Sequence, residues 1–169
     1  MKRIFLASIA FTVALTPAYA GAESKQTCPV TLPSDQLLGP PFPESDRWYG
    51  SEALAVQLPE CGIWATTQEG HSIAVKLFWW SSGFEPGQET ALKVTVKALN
   101  GGANDLLISS PTNAHSPSLG GWTMLTGVDI QSPGCWEITG EYLDQVLTFV
   151  FESVEPGEYY RIIEDRQQG

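Results

Sequence analysis

The stretch ALKVTVKAL, Ala91 to Leu99, sets Leu92, Val94, Val96 and Ala98 against Lys93, Thr95 and Lys97. A period of two marks a strand with one face buried and one in water; a helix of the same residues would scatter its apolar side chains around the axis. The pattern recurs between turn signals. In WYGSEALAVQL, Trp48 to Leu58, the side chains of Leu54, Val56 and Leu58 share a face, and IWATT returns after the turn PECG. In SIAVKLFWW, Ser72 to Trp80, the set Ile73, Val75, Leu77 and Trp79 opposes Ala74, Lys76, Phe78 and Trp80. DLLIS, TMLTGVDI, CWEITGEY and VLTFVFESV follow, with a long loop assigned to Ser110–Trp122. About eight short strands at roughly ten-residue spacing predict an all-β antiparallel sandwich, with a small β-barrel as the alternative.

Both ends of the chain lack this pattern. Lys2 and Arg3 precede the apolar run IFLASIAFTVAL, then Pro17 and the small-x-small stretch AYA at Ala18–Ala20. That is the layout of a cleaved secretory leader over residues 1–20, and the run is shorter than the roughly 20 apolar residues of a membrane span. Residues 21–47 include five of the twelve prolines and read as an extended strap lying on the domain. The β domain is placed at 48–154. Residues 155–169 form a polar tail, frayed or folded into a short helix. The expected product is a soluble chain exported to the periplasm or beyond the cell.

Losing the leader removes two cations and no acid, so the formal net charge of −10 moves two units further negative. Such a chain is repelled by phosphate backbones and by anionic membrane surfaces, which argues against nucleic acid as a partner.

Cys28, Cys61 and Cys135 would enter an oxidising compartment, where a disulfide is expected and an odd thiol remains. Cys28 could pair with either of the others. Strand alternation puts the turn holding Cys61 and the turn before Cys135 at opposite ends, beyond the about 7 Å that a disulfide's Cα atoms can span. Cys28–Cys135 is therefore expected, tying the strap across the sheet, with Cys61 a free turn thiol.

Catalytic motifs are missing from the sequence. There is no G-x-S-x-G elbow and no C-x-x-C pair. Nineteen acids supply carboxylate pairs by coincidence alone. His71 and His115, even with Met124 or Cys61, follow no metal-ligand spacing, and NGGAND lacks the acidic spacing of a calcium loop. No metal, cofactor or catalytic residue is assigned.

Aromatic residues are the better candidates for binding. Trp79 and Trp80 are neighbours on one strand, so their rings leave opposite faces, and one lies outside the core unless the strap or tail covers it. Trp79, Trp80, Trp122 and Tyr49 are the candidate ligand-binding residues. With Trp48, Phe84 and Tyr160 they could form a platform for sugar rings or a partner protein, unless the strap hides it. In GCWEITG, Gly134 to Gly140, Trp136 and Ile138 face the core, whereas Cys135, Glu137 and Thr139 face outward. Gly140 suits a bulge or a close approach.

PGCWEITGEY followed by LTFVFESV is similar to the last two strands of immunoglobulin-like domains. Together with WYGSEALAV and LFWW, it resembles a group of uncharacterised bacterial exported proteins. That resemblance implies an immunoglobulin-like sandwich of about 7–8 strands and brings no activity and no site residue with it. The expected function is an exported, non-enzymatic binding or structural module, with protein contact first. A carbohydrate-binding module is the alternative, and a small carboxylate-dependent hydrolase the second.

Overall fold

A computed structural model describes residues 27–33, 47–67, 75–87, 89–100, 106–117 and 121–167. The leader at 1–20, most of the strap and His71 lie outside these residues. The described residues form β1 (Trp48–Gly50), β2 (Ala55–Gln57), β3 (Ile63–Ala65), β4 (Val75–Trp80), β5 (Lys93–Ala98), β6 (Leu106–Ile108), β7 (Thr112–Ser116), β8 (Gly121–Ile130), β9 (Gly134–Tyr142), β10 (Gln145–Val154) and helix α1 (Pro156–Gln167). One sheet runs β1-β2-β4-β8, and β6 and β7 pair in succession with β8. The other runs β3-β10-β9-β5. Among the described residues the two sheets pack as a sandwich, with no closed barrel.

Alternation decides what goes inside. Leu77 and Trp79 of β4, Met124 and Val128 of β8, Trp136 and Ile138 of β9, and Phe149 and Phe151 of β10 make the core between the sheets. Trp64 stacks obliquely on Phe151, ring centroids 4.3 Å apart. Two indole N–H groups of this core find hydroxyl acceptors. Trp79 Nε1 donates to Thr126 Oγ1 at 3.1 Å, and Trp136 Nε1 donates to Ser153 Oγ at 2.8 Å. Ser153 in turn donates to the Ser132 carbonyl at 2.8 Å. On β5, Lys93, Thr95 and Lys97 are exposed as the sequence predicts, and Lys97 Nζ lies 3.7 Å from Glu137 Oε1 on β9.

Several expectations need correction. The stretch Trp48–Leu58 is two strands, because Gly50 (φ 116°) and the Ser51 N–H to Leu54 carbonyl bond of 3.0 Å fold it into a hairpin. Residues 110–122 are not a loop throughout: β7 runs back along β8 from within them. The strand count among described residues is therefore ten rather than seven or eight. One pairing, β3 with β10, is parallel. The polar tail takes the helical option, as α1.

The strap does cross the second sheet. Cys28 and Cys135 are joined, with Cα atoms 5.5 Å apart and 107 positions between them in sequence. Thr31 N–H donates to the Val150 carbonyl at 2.8 Å, and Val150 N–H donates to Thr31 Oγ1 at 2.9 Å. The strap thus passes from over β9 to the far edge of β10. Cys61 is free, and the reason it cannot reach Cys135 differs from the expected one. Ile63 and Cys135 both pair with Glu152, from opposite sides of β10. Two strand spacings of about 4.8 Å each separate them, rather than the length of the domain.

Candidate functional site

The antiparallel register brings three connections to one end of the sandwich. β4 leaves at Trp80 where β8 enters at Gly121, and the β9–β10 hairpin turns over at Leu143 and Asp144. The loop after β4 sits beside that turn. The Tyr142 phenol donates to the Gly83 carbonyl at 3.4 Å, and Leu143 Cδ1 lies 3.7 Å from where a Gly83 Cβ would be. The Ser82 N–H donates to the Glu52 carbonyl at 2.8 Å, which brings the β1–β2 turn to the same end.

Trp122 stands at this mouth. Met124, Thr126, Val128 and Ile130 point inward along β8, and Trp122 continues their series past the end of the core, where it is 45% exposed. His115, its cross-strand partner on β7, meets it edge-on at 5.2 Å between ring centroids. At the same end, Leu143 in the β9–β10 turn is 71% exposed, and Val146, on the outer face of β10 beside that turn, is 67% exposed. Leu143 also has φ of 54°. It occupies the first position of a two-residue hairpin turn, where a positive φ normally calls for glycine. A leucine there bears a cost of about 1–2 kcal/mol in backbone strain and leaves its side chain in water.

Charge around these residues has one dominant sign. Glu52, Glu85, Glu141 and Asp144 are all exposed, and Lys93 is the cation in register with Glu141. The Tyr142 phenol is held above its ordinary value, first by burial and then by the nearby Glu85 carboxylate.

The sequence-level candidates separate here. Trp79 is fully buried in the main core and Trp80 nearly so, in a second small cluster with Trp48 and Ala55. Neither ring can stack on a ligand. The pair does leave opposite faces, but Trp48 meets Trp80 on the outer one. Tyr49 and Phe84 are half-buried against the core. Tyr160 is exposed on α1, at the opposite end from Trp122, edge-on to Tyr159 at 5.7 Å. Of the four candidate ligand-binding residues, Trp122 alone is open to solvent as a ring. Trp136 and Ile138 are core residues.

Leu143 and Val146 escaped sequence reasoning. A signal for Val146 was present: in VLTFVFESV it shares its parity with Thr148 and Glu152, which is the water-facing one. For Leu143 nothing in the pattern reveals the sign of φ. A separate pocket of about 170 Å³ opens beside the disulfide, lined by Thr27, Cys28, Pro29, Leu99, Asn100 and Cys135. It presents no ionisable side chain. Among the described residues no group of His, Cys, Asp or Glu is arranged to hold a metal ion, and no helix is long and apolar enough to cross a membrane.

No protein-family model matches the chain, and no curated protein matches it. Among solved structures, the ZirS C-terminal domain aligns over 88% of this chain and 97% of its own length, at 10% identity and a TM-score of 0.36. A likeness that weak carries no weight for fold or function.

Proposed function

We propose that the chain is an exported, disulfide-clamped contact module that binds another protein through the end of the sandwich bearing Trp122, Leu143 and Val146. Leu143 carries this reading. Strained, exposed leucine at a glycine position lowers stability, and backbone strain of this kind is kept where a site uses it. Its neighbours at the same end are a solvent-open indole and a valine on a water-facing row, the residue types that anchor protein contacts. The Cys28–Cys135 bond fits an oxidising compartment outside the cytoplasm. The leader-like layout of residues 1–20 supplies the route there.

Site-specific photo-crosslinking tests the reading. A crosslinker placed at position 143 should capture a partner on the outside of the host cell, and Trp122→Ala should abolish that capture. The same crosslinker at Leu107, which is 56% exposed on β6 away from this end, should capture nothing. Equal capture at both positions would overturn the proposal. Capture of a glycan rather than a protein by the Trp122 side would favour the carbohydrate-binding alternative.

A further inference from the structure

Resting on the contact reading, we infer that the partner presents a cationic, extended or loop segment with an apolar anchor, which seats on Leu143 and Val146 while its cations face the surrounding carboxylates. Two observations combine. The exposed apolar side chains sit in the β9–β10 turn and on the outer face of β10 beside it, so a partner reaches them without rearranging either sheet. Described charges at this end include Glu52, Glu85, Glu141 and Asp144 against Lys93, brought there by the Ser82–Glu52 backbone bond, the Tyr142–Glu85 proximity and the Lys93–Glu141–Val146 register.

The placement of these charges matters more than the total. Lys97 is engaged with Glu137 further down β9, and Arg161 with Glu158 on α1, so neither cation serves this end. An apolar patch with a rim mainly of one sign selects partners by charge before contact and disfavours like-charged surfaces. An acidic segment would be repelled at the rim, and a neutral one would gain burial without steering.

Three peptides of equal length test this. All share the same Leu and Trp anchors, and they differ only in carrying Lys, Gln or Glu at the intervening positions. Fluorescence anisotropy of each labelled peptide is followed against the intact disulfide-bonded protein. At about 50 mM salt the Lys peptide should bind roughly tenfold or more tighter than the Gln peptide, and the advantage should shrink at about 500 mM. Leu143→Gly should weaken the Lys peptide by about tenfold, and Leu107→Ser should leave it unchanged. Equal binding of the Lys and Gln peptides, both weakened by Leu143→Gly, would overturn the charge inference and leave the contact reading standing. Lys-peptide binding indifferent to Leu143→Gly would mean attraction to the acidic chain at large, and both would fall. No binding by any of the three would overturn the inference as well.

Discussion

The six-membered ring of Trp79 occupies the space that a Cβ on Gly140 would need. The two residues sit on different sheets, β4 and β9, so the missing side chain on one sheet is the seat of the largest side chain on the other. Trp79 cannot move aside easily, because its ring is fully buried and its Nε1 is held by Thr126. Gly140→Ala should therefore destabilise the fold by about 1–3 kcal/mol through overpacking. Urea denaturation measures it. Adding Trp79→Phe should recover part of the loss, and an additive double mutant would show that the two residues do not meet as described.

Ser153 holds the indole of Trp136 and passes the bond on to Ser132. Ser153→Ala strands that buried N–H and should cost about 1–3 kcal/mol. Trp136→Ala, which leaves a cavity, should cost about 3–5 kcal/mol. If Ser153→Ala proved neutral, the indole must find another acceptor.

The Cys28–Cys135 bond closes a long loop, so its loss should be felt throughout the domain. Cys135→Ala should lower stability by about 2–5 kcal/mol. Thiol labelling of the intact chain should find one reactive cysteine, Cys61, and thermal melting of the variant gives the size of the effect.

Tyr142 ties stability to alkaline pH. Its phenol is an acid whose folded-state pKa is raised, so between the unfolded and folded values the native state holds a proton that the unfolded chain has lost. The stabilisation is complete below the unfolded value of about 10 and is lost as pH rises through the folded value. Tyr142→Phe should flatten the decline in stability above pH of about 10 relative to the parent. Parallel declines for the two proteins would assign the effect to other groups.

Leu143→Gly should leave the fold intact and raise stability by up to about 1 kcal/mol, because relief of a positive φ outweighs the added chain entropy. Guanidinium unfolding reads this directly. A clear loss of stability would mean that Leu143 packs into the structure, and its exposure would no longer argue for a contact.

Much of the sandwich is legible in the sequence, because alternation in β4, β5, β9 and β10 names both faces of each strand. β7 is not, since Thr112, Asn113, Ala114 and His115 carry no periodic apolar set; the strand exists because β8 offers it an edge. The disulfide follows from one correct distance limit applied to a wrong picture of where Cys61 lies. The adjacency of Trp79 and Trp80 fixes opposite faces, yet it cannot reveal that Trp48, distant in sequence, meets the outer ring. Leu143 is hidden for a different reason. Its significance lies in a backbone angle and in its neighbours across a turn, and neither leaves a mark on hydropathy.

A ribosome delivers Cys28 first, Cys61 next and Cys135 last. Between the emergence of Cys61 and that of Cys135, then, the strap's thiol has a wrong partner available and its right one not yet made. The native strap can be fastened only after Cys135 has emerged, so a chain cut short between Cys61 and Cys135 leaves two thiols free to join each other. Cys61→Ser removes that trap without touching the finished bond. The third cysteine thus bears on the yield of correctly joined molecules, whatever its part in the mature one.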